Sequence, residues 1–449
     1  METKYQYLQF VPYATIRNWS VQYMKGEGMF SSIYPIKPLE DCLKEENERY
    51  SISDSSCEYG ILGVNNQNGI FDAYTENGAK IKQKYKKMEV GWIAYNPYRI
   101  NVGSVGVKRD YHKNDYISPA YVVFSCKEGL LPDFLYLIMR TPTFNQIIRK
   151  NTTGSVRQSL SFKNLKDLKI PLPRLEEQKE LITAYSSRVN KSLNLYQSID
   201  NIQRKCYDYV RQTLFNEGAN KGYEQGDALL KLVHFKDIIE WGISNIKKRA
   251  CNGVVSKYNI AHIKDVCKVN SGGTPSRSNK SFYEGNIPWI KTGEVLNDII
   301  YDTEEHISEE AIESSSARIY PKGSLIIAMY GQGGTRGPSA KLGIDASTNQ
   351  ACAVLHQIDN DVVLTDYLWA YIQAMYDDLR SLASGTNQPN LNAEKIKNYL
   401  LPLPPKETQE EIVSYVKTAK ERMKALKAEA ESLKAQALLD FEKALFKKQ

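Results

Sequence analysis

Lys80, Lys82, Lys84 and Lys86 alternate along the chain, with Tyr85 and Lys87 interleaved. On an extended strand this alternation sets four ammonium groups on one side, a track suited to the phosphates of a nucleic-acid backbone. It equally suits a solvated, charged edge strand. Arg99, Lys108 and Arg109 flank the turn Gly103-Ser104-Val105-Gly106, and Arg277, Lys280, Lys291 and Arg336 accompany Ser271-Gly272-Gly273 and the run Gly331 to Gly337. A loop arginine can grip guanine O6 and N7 with two donors, and Asn or Gln can do the same for adenine. The run GQGGTRG allows either close approach to a backbone or a plain hairpin turn.

Chemistry that breaks or makes bonds has no comparable signature. No GxxxxGK[ST] phosphate loop occurs. Tyr95-Asn96-Pro97-Tyr98 is similar to the Asn/Asp-Pro-Pro-Tyr/Phe loop of amino-methyltransferases, but it lacks the second proline and no glycine-rich cofactor motif precedes it. The five histidines, at 112, 234, 262, 306 and 356, have no HxxxH or mixed Cys/His spacing, so no metal site is expected. Pro132-Asp133 could open a nuclease motif, yet no acidic-x-Lys element follows; Asp133 is expected to cap a helix. The expectation is a chain that binds without catalysing and needs no cofactor.

What must position the basic residues is a large chain. Its 449 residues suffice for two or more domains with cores of their own. Seven cysteines without a CxxC pair suit buried thiols in a reducing cytoplasm. No N-terminal signal pattern and no long apolar stretch is present, so neither secretion nor membrane insertion is expected. The net charge of +7 is uneven: residues 1–222 hold 31 Lys/Arg against 23 Asp/Glu, and residues 223–449 hold 28 against 29. The excess in the first half is compatible with a polyanionic partner.

The chain repeats itself. Residues 154–215 match 385–446 at a constant offset of 231: Leu160 with Leu391, Pro171-Leu172-Pro173 with Pro402-Leu403-Pro404, Gln178 with Gln409, and Leu214-Phe215 with Leu445-Phe446. Upstream, SPAYVVF at 118–124 aligns with NQACAVL at 349–355, and Trp19 answers Trp241. After Pro173 and Pro404 the composition turns helical, with early glutamates that suit the positive end of a helix dipole, and from Glu176 and Glu407 onward there is no Gly or Pro up to Phe215 and Phe446. A seam with 4-3 spacing runs Leu181, Tyr185, Arg188, Ser192, Leu195, Ile199, Ile202, Cys206, Tyr209 in one copy. In the other it runs Ile412, Val416, Ala419, Met423, Leu426, Ala430, Leu433, Ala437, Asp440. So narrow a stripe needs a partner helix, and the other copy is the obvious one. The segments before each Pro-Leu-Pro read as mixed α/β, with β-rich runs at 90–95, 120–126 and 325–330, and helical stretches at 133–150 and 366–384. The expected fold class is therefore α+β: mixed α/β domains at 1–173 and 223–404, a long helix and linker at 174–222, and a second long helix at 405–449.

Taken together these motifs resemble the DNA specificity subunits of Type I restriction–modification systems. The carriers are SGGTPSRSNKSFYEGNIPWI at 271–290, PKGSLIIAMYGQGGTRG at 321–337, STNQACA at 347–353, GWIAYNPYRINVGSVGV at 91–107, and the two PLP-x(4)-Q helix segments, IPLP in the first copy and LPLP in the second. The resemblance implies two target recognition domains, each reading one half of a bipartite duplex sequence, and two long helices packed antiparallel as a ruler. It further implies two methyltransferase (modification) subunits docked on the helices, restriction subunits with ATPase and nuclease activity joining the complex, a cytoplasmic location, and no catalytic residue in the chain itself. A protein-only scaffold with two repeated partner-binding domains is the alternative.

Overall fold

The computed structural model describes residues 32–151, 159–216, 256–330, 337–382 and 391–446. Arg336, Trp19 and Trp241, which the sequence singles out, lie outside the described residues, as do residues 217–222 at the end of the expected helix and linker and all of the 331–337 run except Gly337. The chain divides into two compact units, Met1–Tyr196 with Lys427–Gln449, and Gln197–Leu426.

The first unit contains a four-stranded antiparallel sheet in the order Leu43–Glu45, Val122–Cys126, Ile93–Tyr95, Val105–Val107. A five-stranded sheet (Arg49–Tyr50, Tyr85–Lys87, Tyr116–Ile117, Glu58–Asn65, Gly69–Asn77) and a ribbon pairing Ile36–Pro38 with Lys169–Pro171 complete its strands. The central strands are short, continuous apolar runs, as expected where both faces are covered. Ile93, Ala94, Tyr95 and Phe124 are fully buried. The stretch expected as one helix over 133–150 is two, Pro132–Arg140 and Pro142–Asn151. Pro142 accounts for the break: it forces Thr141 into an extended conformation (ψ 145°), which ends the preceding helix. Asp133 does not cap that helix. Leu131 occupies the cap position, and Asp133 lies inside the first turn.

The second unit repeats the plan. Its main sheet runs Lys268–Ser271, Cys352–His356, Leu325–Ala328, Ser339–Leu342, Ile299–Ile300, antiparallel apart from the last pair. The first four strands match the four-stranded sheet of the other unit in order and direction. A three-stranded sheet (Glu305–Ile307, Ile287–Ile290, Ser347–Thr348) replaces the five-stranded one. The ribbon recurs as Asn259–His262 on Leu400–Leu403; Ile260 faces Pro402 as Ile36 faces Pro171, prolines 231 residues apart.

Both Pro-Leu-Pro segments lead into 40-residue helices, Leu175–Leu214 and Lys406–Leu445, each about 60 Å long at 1.5 Å per residue. Each unit takes part of both helices. In the first unit Tyr185 and Phe441 pack edge to face at 6.4 Å, and Ser192 Oγ donates to Ala430 O at 2.8 Å. In the second, Tyr209 stacks on Tyr415 at 4.0 Å between ring centres. Rising numbers on one helix meet falling numbers on the other, so the pairing is antiparallel. All nine seam positions in each copy are buried or half-buried. The polar exceptions are matched: Arg188 forms an ion pair with Asp440, and Ser192 bonds to the Ala430 carbonyl.

Candidate nucleic-acid interface

The two buried glutamines of the repeat show how each unit fixes its long helix. Gln178 accepts from Leu131 N (2.9 Å) and donates to Gly129 O (2.8 Å) and Pro173 O (2.9 Å). Gln409 accepts from Leu364 N (2.8 Å) and donates to Val362 O (3.1 Å) and Pro404 O (2.9 Å). One side chain thus ties the helix start, the Pro-Leu-Pro turn and the loop entering the next helix, satisfying three backbone groups that burial would otherwise leave unpaired.

On this frame each unit presents an equivalent β-hairpin, 93–107 in the first and 325–342 in the second. A carboxylate on the adjoining helix holds the returning strand in both. Arg109 pairs with Asp133 and Lys341 with Asp366, each carboxylate in the first turn of its helix. The Asp133 carboxylate holds the Arg109 guanidinium above its usual range. Arg99, Tyr98 and Val102 lie exposed in the loop of the first hairpin.

The lysine track is only partly realised. Gly78–Lys80 is a 3-10 turn and the strand covers only Tyr85–Lys87, so alternation does not run from 80 to 86. Lys80, Lys82 and Lys84 are exposed, and Lys80 pairs with Glu76 at 3.2 Å. Lys86 turns inward: it is 4% exposed, its Nζ donates to Tyr121 O at 3.0 Å, and burial pulls its pKa down. Lys108 is equally buried, bonded to Met88 O and paired with Asp115. Both are structural ammonium groups in this fold. Among the described residues, Lys82, Lys84, Arg99 and Lys280 are exposed without an ion-pair partner.

In the second unit Lys280 is free among the described residues, but two other candidate cations are engaged. The Arg277 guanidinium stacks over Tyr283 (4.1 Å) and Trp289 (5.1 Å). Its Nη1 lies 2.7 Å from Glu305 Oε2, an ion pair by distance although no donor meets that oxygen in hydrogen-bond alignment. Lys291 Nζ reaches Glu304 (2.8 Å) and Glu305 (3.1 Å). Arg277 first, then Lys291, holds the Glu305 carboxyl below its ordinary range. Sequence alone does not pair these carboxylates with their cations; its one signal is the parallel placement of Asp133 after Pro132 and Asp366 after Thr365 in the repeat.

Among the described residues no group of three or more His, Cys, Asp or Glu is placed to hold a metal, and no helix is long and apolar enough to cross a membrane.

Fold and surface define a class: a tandem α+β protein whose repeated units each join a hairpin-bearing sheet to paired long helices. The model of the Type I restriction modification DNA specificity domain matches twice, over residues 39–202 and 256–435, and the chain belongs to that family. It is 28% identical over 194 residues to the Type I restriction enzyme MjaIX specificity subunit of Methanocaldococcus jannaschii, covering 41% of this chain and 42% of that protein. It is 23% identical over 268 residues to the EcoR124I/EcoR124II specificity subunit of Escherichia coli, covering 57% and 56%. The chain thus spans about half the length of these relatives. A chain solved in work on complex assembly and conformational transition of the type I R-M system shares the fold, with a TM-score of 0.52, 16% identity, and coverage of 92% of this chain and 98% of that one.

Proposed function

We propose that this chain is the specificity subunit of a Type I restriction–modification complex, binding duplex DNA sequence-specifically and contributing no catalytic residue. Its two target recognition domains, within 1–173 and 223–404, each read one half of a bipartite site. The observation that carries this reading is the double match of the specificity-domain model to a chain whose two units repeat the same sheet, hairpin and helix plan. It favours DNA over the protein-only scaffold. DNA-contact candidates are the exposed Lys80, Lys82, Lys84, Arg99 and Lys280, with Arg109, Arg277, Lys291 and Arg336 as further candidates; Lys86 and Lys108 are withdrawn because burial removes them from phosphate. Two modification subunits dock on the long helices and supply methyl transfer, and restriction subunits join through that core in the cytoplasm.

The test is reconstitution. The purified chain alone is expected to leave DNA unmethylated and uncut. With a modification subunit and S-adenosylmethionine, genome-wide mapping is expected to show methylated adenines at one bipartite sequence. Methylation or cleavage by the chain unaided, or no retention of specific DNA against excess competitor, would overturn the reading.

A further inference from the structure

Lys420, on the second long helix, is half-buried among groups whose roles the DNA reading does not use. Its Nζ sits 3.6 Å from the centre of the Trp369 ring. Trp369 Nε1 donates to Ser339 Oγ at 3.1 Å, on the returning strand of the hairpin. Ser339 N in turn donates to Asn297 Oδ1 at 3.0 Å, and Gln373 Nε2 donates to Asn297 O at 3.2 Å. Trp369, Ser339 and Gln373 are at most 6% exposed. Asn297 is held at φ 61°, a left-handed conformation uncommon outside glycine, and its neighbour Leu296 is thereby left 73% exposed beside the hairpin. One polar and aromatic chain therefore runs from helix to helix to strand to strained turn.

We propose that Lys420 is a positioning residue: its ammonium fixes Trp369, and through Ser339 and Asn297 sets the strand 339–342 and the turn at Asn297 within the domain that reads the second half-site. This rests on the function proposed above. A buried ammonium is costly, and a Met of similar length would fill the space without the desolvation penalty. Its presence makes sense where the charge does something packing alone does not. The groups facing it are Asp298 from the turn, Cys206 from the first long helix, Asp366 from the helix 365–374, and Lys341 from the hairpin strand. Burial outweighs the two carboxylates and brings the Lys420 pKa to about 8. Burial pushes the Cys206 thiol up from its ordinary range. Raising pH through about 8 therefore removes the cation from the Trp369 face.

The experiment uses the full chain with its modification subunit, between pH 7 and 9, on duplexes carrying single mismatches in either half-site. In the wild type, discrimination at the second unit's half-site is expected to fall about 10-fold relative to the other as pH rises through 8. Lys420→Arg, charged throughout, is expected to hold a flat profile. Lys420→Met is expected to show the loss already at pH 7 while melting at an equal or higher temperature. Equal discrimination by wild type and Lys420→Met overturns the proposal. So does a loss shared by both half-sites with a lower melting temperature, the mark of general packing support. If Lys420→Met does not fold, the contrast of wild-type and Lys420→Arg pH profiles decides, and two identical profiles overturn it. A wild-type complex that methylates no specific site is a separate result, and it overturns the functional reading instead.

Discussion

The two units share a central sheet, hairpin, ribbon and glutamine clamp, yet they hold their cations differently. In the first, Lys82, Lys84 and Arg99 stand exposed without ion-pair partners among the described residues. In the second, Lys280 is likewise exposed, but Arg277 and Lys291 converge on Glu305. The local contacts thus parallel the sequence balance, a surplus in the first half and none in the second. Free ammonium groups attract phosphate at a distance whatever the sequence, whereas a paired, stacked guanidinium is already oriented and gives up less salt on binding. Duplicated architecture therefore need not carry duplicated electrostatics.

The clamps offer the strongest way to break the comparison. Gln178→Leu and Gln409→Leu each leave three backbone groups without their partner, one of them in a buried bond and two in part-buried ones, and each is expected to cost its own unit about 1–3 kcal/mol. Hydrogen exchange in the helices 132–140 and 365–374 reads the two units separately. Markedly unequal losses would show that the clamps are copies in sequence only. Next in size is the salt response. Lys82→Ala with Lys84→Ala is expected to lower the slope of log K against log salt by roughly 2, from about 0.9 per phosphate contact. Arg277→Ala with Lys291→Ala is expected to change it by less than half as much, and Lys86→Ala not at all, while lowering the melting temperature. Equal slopes for the two pairs would erase the contrast drawn here. The smallest effect is expected from Asp133→Asn and Asp366→Asn. Both carboxylates are about half exposed, so each pair contributes under about 1 kcal/mol to unfolding free energy.

Much of this plan was legible in the residues. The 231-residue offset located the repeat, the Pro-Leu-Pro and the paired glutamines. The seam gave both helices to within a few residues because periodic burial leaves its mark at every turn. Even its exceptions were informative in retrospect, since Arg188 and Asp440 neutralise each other. Sequence failed where a residue's fate depended on distant neighbours. Nothing local tells that Lys86 meets the Tyr121 carbonyl, 35 positions away, or that Lys108 turns in to Met88 and Asp115. A lysine reads as surface by type, and burial is the exception that only tertiary contacts create. The helical stretch 133–150 divides for a simpler reason, Pro142, whose ring ends the preceding helix at Thr141.

The first unit's core includes Phe441, Leu445 and Phe446, all at most 6% exposed, packed with Phe134, Phe144 and Leu165. Its apolar interior thus draws on residues about 300 positions apart, whereas the second unit is one continuous stretch, Gln197–Leu426. On a ribosome, which emits the chain from the N-terminus, the unit begun first is completed last. Its half-built interior must wait, with the landing site for Phe441 open, while the later unit emerges whole and folds ahead of it.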